Sequence, residues 1–543
     1  MNKTNVLVGL GTFLCIGGAI ASITCLSVFG LNACEIVDQP NVRPGGQIDI
    51  GDLEDNTTPF TSVTQEKGDY SRFTYLDVED AAASPLTPST GDVTVLVVPV
   101  QFSDLNAFTD HDYSMIESGF NGIFKDNSNE YWESCKSFYE KSSNGKLNLN
   151  FEITDPFTPN ITSSIFNSMA NDYGDESKEI ITEFYKKGLT IDGSKVNFND
   201  SKYDINGDDY IDGIWLVYNS KNYNEVFNKQ KYWAYTTTYD PQLLSGVGVG
   251  SQIPGRYANG SILFLGQSRN YSSINPINSD AHTIIHETGH MLGLDDYYDY
   301  GNRRSNFSYT GQLDMMDLNI GDHNAFSKYA LGWTKAQVIE ETTTLTLKPF
   351  ASSYDSIILP SSSFGNHAFG EYLIVEYYTP TNLFELDSNA RYLNSYPLFF
   401  GKQGLRIYHV DARLSMLYYN TFNGKISFGD YLPTNIDSLP EYDNSLTQTV
   451  GWAAVSHSNA SGMSTNKDDH PLIELISADN QILFNKKAAT NASLYTGTGE
   501  VFSVSKQNKY FESGKFNDGS DMNYSISIND TTNEGIEITI NVN

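Results

Sequence analysis

Cysteine and basic residues are scarce in this 543-residue chain. The first scarcity argues against a disulfide-stabilised fold, and the second argues against a nucleic-acid-binding protein. Only four cysteines are present, and two of them, Cys15 and Cys25, fall in an apolar N-terminal segment, so the fold does not rely on disulfide bonds. Lysine and arginine total 34 against 66 aspartates and glutamates, a formal net charge of −32. Such a surface repels phosphate backbones, so we expect no nucleic-acid partner.

Aromatic residues, by contrast, are abundant. They make up 13% of the chain, with 35 tyrosines, and hydrophobic residues make up 39%, which excludes a disordered or collagen-like chain. The length is too great for a single core and predicts two or three domains. We expect the protein to be a monomer.

The first 34 residues predict a membrane-directed segment. Lys3 supplies a positive start, and residues 6–31 carry no charge. The segment ends "GLNAC", in which Leu31, Ala33 and Cys34 resemble the lipobox of bacterial lipoproteins, whose cysteine is lipidated. The apolar run is longer than that of a usual signal peptide, so an uncleaved anchor helix is the alternative. Either interpretation places the rest of the chain outside the cytoplasm, on the extracellular face of the membrane or secreted.

Residues 35–90 are rich in Asp, Thr, Pro, Ser and Gly and predict a tether or a short pro-segment. A Cys34–Cys135 disulfide is the alternative to lipidation, but a lipidated Cys34 has no free thiol. We therefore expect Cys135 to be a lone, partly buried thiol.

The remaining chain predicts an α+β fold in which a mixed domain is followed by β-rich structure. The run "VTVLVVPVQF" (93–102) is typical of a buried strand, and helices are expected near residues 129–145 and 174–187. Beyond about residue 340, short strand-like runs are separated by Asn, Gly, Ser and Asp. We expect a catalytic domain over 91–340 with a twisted sheet, a β-rich, sandwich-like region packed on it over 341–490, and final strands over 491–543.

The stretch "HETGHMLGLDD" contains the strongest chemical pattern of the chain. On a helix, His286 and His290 project from one face at a separation suited to a single metal ion. Glu287 lies about 100° round the helix, near enough to hold a water without being a ligand. Gly293 is a plausible end for this helix. The alternative is an amphipathic surface helix that carries two histidines.

The extended pattern His-Glu-x-x-His-x-x-Gly-x-x-Asp resembles the metzincin zinc peptidases, and Asp296 matches the third ligand that snapalysins use. Met316, in "QLDMMDLNIGDHNAFSKYALGW", takes the place of the Met-turn that lies beneath the metal. With "VVPVQFSD", "SFYEKSSNGKL", "DINGDDYIDGIWLVYN" and "GLRIYHVD", the chain resembles the immune inhibitor A family of secreted metallopeptidases over residues 97–411.

The resemblance implies a zinc-dependent endopeptidase that acts on proteins or peptides. Zinc would be held by His286, His290 and Asp296, and Glu287 would act as general base toward the attacking water. Glu376, in "EYLIVEYY", is the rival third ligand, although a salt bridge is the more ordinary role for a carboxylate flanked by apolar strand residues. A further hydrogen-bond donor to the substrate is expected, and the sequence does not rank its candidates: Tyr297, Tyr298, Tyr309 and His323.

An acidic loop predicts a structural calcium site. Its ligands would be Asp204, Asn206, Asp208, Asp212 and the carbonyl of Tyr210, spaced as in the first part of an EF-hand loop. The loop departs from that pattern, because its glycine comes two places early and its twelfth position is a tryptophan. A hydrogen-bonded turn is therefore the alternative. A second, weaker ion site would involve Asp295, Asp299, Asp314 and Asp317.

A functionally different hypothesis remains. The chain would then be a surface adhesin whose β-rich half binds proteins or glycans and whose peptidase-like part is inactive. Retention of His286, Glu287, His290 and Asp296 favours the enzyme, because an unused site tolerates the loss of its ligands. Zinc content and chelator-sensitive proteolysis distinguish the two hypotheses.

Overall fold

The computed structural model describes residues 62–63, 86–123, 132–169, 175–239, 241–244, 252–266, 279–298, 308–392, 396–420, 425–431, 443–444, 448–454, 470–484 and 488–543. The predicted signal or anchor segment with Cys34, most of the tether and Asp299 lie outside these residues. Within the described part of the chain, no helix is both long and apolar enough to cross a bilayer.

Nine α-helices are described. They are α1 (Asp110–Asn121), α2 (Cys135–Ser142), α3 (Ser163–Met169), α4 (Asp175–Lys187), α5 (His282–Met291), α6 (Met315–Leu318), α7 (Ala325–Ala330), α8 (Phe350–Ser353) and α9 (Glu385–Asn389). Shorter helical turns of the 3₁₀ or π type cover Ser201–Tyr203, Asn224–Asn228, Pro241–Leu244, Ile262–Leu265 and Asn382–Phe384.

The described strands fall into an N-terminal and a C-terminal group. The first comprises β1 (Ser62–Val63), β2 (Gly91–Val100), β3 (Leu147–Ile153), β4 (Thr190–Ile191), β5 (Ser194–Lys195), β6 (Tyr210–Ile211), β7 (Ile214–Tyr218), β8 (Tyr235–Thr238), β9 (Ile253–Pro254) and β10 (Arg256–Ser261). The second comprises β11 (Ala336–Val338), β12 (Thr343–Leu347), β13 (Ser356–Pro360), β14 (Glu371–Tyr378), β15 (Gly404–Asp411), β16 (Leu414–Asn420), β17 (Lys425–Tyr431), β18 (Asp443–Asn444), β19 (Gln448–Ala454), β20 (Ile473–Leu475), β21 (Gly499–Ser503), β22 (Tyr524–Thr531) and β23 (Ile536–Val542).

A five-stranded mixed sheet organises the N-terminal half. Its order is β3-β2-β7-β10-β8, parallel except for the antiparallel edge strand β8. Alternate residues of β2 point to opposite faces, so Val95 packs in one core and Leu96 in another. Helices α1, α2 and α5 cover the first face, and α3 and α4 cover the second. Because β2 is buried on both faces, neither face needs polar side chains, and this explains the apolar run from Val95 to Val100.

Sheets dominate the second half. A six-stranded sheet has the order β1-β11-β13-β14-β15-β20, and two four-stranded antiparallel sheets have the orders β12-β23-β22-β21 and β17-β16-β19-β18. One face of the six-stranded sheet, with Ile374, packs in the same core as α5, and the other, with Val375, packs against β22 and β23. The expectation of a mixed α/β half followed by β-rich sheets is therefore confirmed.

The strand pairing also bears on the expected division of the chain. Strand β12 pairs with β23 across almost two hundred residues, so the last sheet contains strands from both of the predicted C-terminal regions. Within the predicted tether, the Thr87 N–H donates to the Met291 carbonyl at the end of α5 (3.0 Å). The boundaries at 340 and 490 stay predictions.

Candidate metal centre

Three buried side chains converge at the C-terminal end of α5. The Nε2 atoms of His286 and His290 lie 3.1 Å apart, and Asp296 Oδ1 lies 2.9 Å from the first and 3.3 Å from the second. A tetrahedral metal with bonds of about 2.0–2.1 Å would place its ligand atoms about 3.3 Å from one another. Among the described residues, these three form the only such group of His, Cys, Asp or Glu side chains able to hold a metal ion.

Backbone carbonyls fix how the two imidazoles face the centre. His286 Nδ1 lies 2.9 Å from the Met315 carbonyl, and His290 Nδ1 lies 2.8 Å from the Leu294 carbonyl. A carbonyl oxygen can only accept, so each Nδ1 carries a proton and, in the neutral ring, each Nε2 presents a lone pair. Two ring nitrogens and a carboxylate oxygen thus point at one small volume, an arrangement that either a metal ion or a proton makes favourable.

The pKa values of His286 and Asp296 shift in opposite directions, because each group favours the charged form of the other. Burial lowers the pKa of His286, but the Asp296 carboxylate outweighs it and raises this pKa to about 9. For Asp296, burial acts to raise the pKa, and the imidazoles of His290 and His286 overcome it, so the pKa falls well below its usual value. A proton therefore competes with a metal for His286 at neutral pH, and metal affinity should fall as the pH falls.

The chain reversal that brings Asp296 back depends on Gly293. Helix α5 ends at Met291, and Gly293 adopts a left-handed φ of +102°, where a Cβ would lie 2.6 Å from a Leu86 methyl. The alternative of a surface helix is wrong, because every residue of α5 is buried. The helix N-terminus is held by the Asp280 carboxylate, which accepts from the His282 N–H at 3.1 Å.

Glu287 is fully buried beside the three converging groups. Its Oε2 accepts from the Thr236 hydroxyl at 3.2 Å, and Oε1 has no hydrogen-bond partner among the described residues. Burial raises the pKa of its carboxyl, and the two imidazoles counteract that effect. Thr236 comes from the edge strand β8, 51 positions away in the chain, and no sequence signal near it predicted this contact.

Met316, which the resemblance places beneath the metal, packs directly against α5. A Cβ on Gly289 would approach its sulfur to 2.5 Å, so only a glycine at that position lets α6 come this close. Methionine fills the space with an adaptable apolar side chain. The same short helix supplies the Met315 carbonyl that orients His286.

Glu376, the alternative third ligand, forms a salt bridge and does not face the two histidines. It is buried in an ion pair with Arg406, and its Oε2 also accepts from the Ala325 N–H at 2.9 Å. Asp296, and not Glu376, belongs to the converging group.

The four candidate donors lie in different surroundings. The Tyr297 hydroxyl is 2.6 Å from Ser327 Oγ, and the Tyr309 ring stacks on Phe484. His323 is buried among the rings of α2 and Trp333, and burial lowers its pKa well below the usual value. Tyr298 is half-buried and pairs with Ser308 through the backbone. The geometry selects none of the four as a substrate donor.

In the acidic loop, carboxylate side chains accept hydrogen bonds from the loop's own backbone N–H groups. Asp204 Oδ1 accepts from the N–H groups of Gly207 (2.8 Å) and Asp208 (3.0 Å), and Asp212 Oδ2 accepts from that of Ile205 (3.0 Å). Asp208 in turn accepts from the Tyr210 N–H at 2.9 Å and from the side-chain amide of Asn206 at 2.9 Å. These are the hydrogen bonds of the alternative, a polar turn before β7, and calcium binding stays a prediction.

The second ion site does not form among the residues that are described. Asp314 caps α6 by accepting from the Met316 N–H at 2.9 Å, and Asp317 accepts from the hydroxyls of Ser308 and Thr310.

Cys135 is a free thiol, as expected, but it is fully and not partly buried.

Comparison of the chain with protein-family models and with curated proteins finds no match.

Proposed function

We propose that the chain is an exported zinc metalloendopeptidase of metzincin-like fold that hydrolyses peptide bonds in proteins. The observation that carries the proposal is the convergence of His286, His290 and Asp296 next to a buried, non-ligating Glu287. The donor set of two imidazoles and a carboxylate suits zinc, and the spacing of the donor atoms fits a tetrahedral ion with one position left open.

Each residue of the centre then has a distinct task. His286, His290 and Asp296 would hold the ion, which when bound supplies a Lewis acid that lowers the pKa of water and polarises a carbonyl. Glu287 accepts a proton from the attacking water and returns it to the leaving amine. The Thr236 hydroxyl holds the carboxylate of Glu287 in place through Oε2 and leaves Oε1 free to face the water.

The edge position of β8 supports a peptide substrate. This strand borders the centre through Thr236, and it is the outermost strand of the five-stranded sheet. An extended peptide can add to such an edge through backbone hydrogen bonds.

The experiment compares wild type with Glu287→Gln in zinc content and in cleavage of a reduced, carboxymethylated protein. We expect both proteins to bind one zinc and only the wild type to cleave, with activity abolished by a chelator and restored by zinc. Glu179→Gln, on the exposed face of α4, is the matched control and should cleave as wild type does. Full activity of Glu287→Gln would refute the assigned mechanism, and zinc binding without any cleavage by wild type would favour the adhesin.

A further inference from the structure

The segment that carries α6 and α7 contacts the β-rich half of the chain through a buried glutamate, Glu376, which also forms an ion pair with Arg406. Glu376 lies on β14 and Arg406 on β15, directly opposite each other in the register of the six-stranded sheet. Both side chains are completely buried, and the guanidinium lies over the rings of Tyr378 and Phe384 at 5.0 and 4.9 Å. An ion pair enclosed in this way costs desolvation energy, so its use as a source of stability alone is weakly supported.

The second carboxylate oxygen of Glu376 contacts the segment that carries α7. Glu376 Oε2 accepts from the Ala325 N–H at 2.9 Å, at the first residue of α7. The preceding residue, Asn324, donates its side-chain amide to Asp314 at 2.8 Å, and its own amide oxygen caps α7 by accepting from the Ser327 N–H at 3.0 Å. The Glu376 carboxylate thus lies at the N-terminus of α7, beside the cap that Asn324 forms, and a negative charge is favourable there.

From α7 the contacts continue to α6 and to Tyr297, the residue that follows Asp296. Asp314 accepts from the Met316 N–H at 2.9 Å and so holds α6, whose Met315 carbonyl orients His286. Tyr297, the residue after Asp296, donates its N–H to the Met316 carbonyl at 2.8 Å and places its hydroxyl 2.6 Å from Ser327. One short segment, α6 to α7, therefore orients both an imidazole and the carboxylate of the centre.

Resting on the proposed metal site, we propose that Glu376 is a positioning residue for the metal and is itself held in place by Arg406: the hydrogen bond that Glu376 accepts from Ala325 sets α7 and, through α7 and α6, His286 and Asp296. The β-rich half is then part of the metal centre and not an independent binding module. Glu376 contributes to metal binding without being a ligand, through the hydrogen bond to Ala325.

The test measures metal affinity, which stability alone would not change. Glu376→Met removes the acceptor at similar volume, and Glu376→Gln keeps an oxygen for Ala325 while it removes the charge. The matched control is Asp411→Asn, which alters another fully buried carboxylate of the same sheet. Its carboxylate accepts from Arg413 at 2.7 and 2.8 Å and from the Asn517 side chain at 2.9 Å, and neither residue lies in α6 or α7. The probes are Zn²⁺ in competition with a chelator and the visible spectrum of the Co²⁺-loaded full-length protein, at a temperature where every variant is folded.

We expect Glu376→Met to bind zinc about tenfold more weakly and to change the Co²⁺ spectrum, because loss of outer partners of a metal site costs on this scale. Glu376→Gln should recover most of the affinity, and Asp411→Asn should match wild type even where its melting temperature is lower. A loss of less than twofold in Glu376→Met would overturn the proposal. So would an equal loss in Asp411→Asn, or wild type that binds no metal. Because cleavage is not measured, a chain that binds metal but cuts nothing leaves this inference standing while the peptidase proposal fails.

Discussion

The metal centre and the acidic loop both gather side chains that typically bind ions, yet the structure arranges them in opposite ways. At the centre, two imidazole lone pairs and the Asp296 oxygen point at one another within 3.3 Å, and the outer ring atoms are engaged by carbonyls. In the loop, the carboxylates of Asp204 and Asp212 accept hydrogen bonds from backbone N–H groups. The difference teaches that convergence of donor atoms on one volume, and not the density of acidic residues, distinguishes a candidate ion site from a polar turn.

We expect the largest loss of zinc binding from substitution of a residue of the metal centre. His286→Ala removes one of three donors, and we expect its zinc affinity to fall by orders of magnitude with loss of all activity, since two protein ligands are too few for a zinc site. Dialysis followed by elemental analysis measures this. His111→Ala, outside the centre on α1, is the control and should retain one zinc per chain. Zinc retained in full by His286→Ala would place the site elsewhere.

A smaller effect is expected from the loop. If it binds calcium in the native state only, calcium raises the melting temperature, and the double variant Asp204→Ala, Asp208→Ala abolishes that rise. Thermal unfolding with and without calcium, in zinc-loaded protein, makes the measurement. A calcium response that is unchanged in the double variant would show that the loop is the polar turn that its hydrogen bonds describe.

The smallest effect concerns the charge of Asp212 in the absence of calcium. Burial raises the pKa of this carboxyl to about 8, and repulsion by Asp208 and Asp204 adds to the shift. A carboxyl whose folded pKa is raised destabilises the fold as the pH rises from its unfolded pKa, about 4, toward 8. Asp212→Asn should therefore melt higher than wild type at pH 8.5, by roughly 1–2 °C, with no difference at pH 4. Calcium should remove this advantage at pH 8.5, and an advantage that is independent of pH would contradict the account.

The sequence predicted what depends on local spacing. The separation of His286 and His290 and the turn at Gly293 follow from helix geometry and from the backbone freedom of glycine, and both are found where they were expected. The buried run of β2 was also recognisable, because Val95 to Val100 contains no polar residue. Local periodicity was therefore enough to predict the two histidines that face the centre.

Contacts between distant parts of the chain could not be predicted in this way. Thr236 reaches Glu287 from another strand, and Glu376 could be ranked below Asp296 but not assigned its partner, Arg406. The pairing of β12 with β23 depends on tertiary packing that leaves no periodic signal. The acidic loop shows the converse: a ligand-like spacing does not reveal whether its oxygens face an ion or the backbone.

The most direct test of the central claim is a crystal structure of Glu287→Gln grown with zinc, with anomalous diffraction recorded on both sides of the zinc edge. We predict a zinc peak about 2.0–2.1 Å from the Nε2 atoms of His286 and His290 and about 2.0–2.2 Å from a carboxylate oxygen of Asp296. A peak that touches the two histidines while Asp296 lies beyond hydrogen-bonding distance, or no peak at this position, would contradict the account.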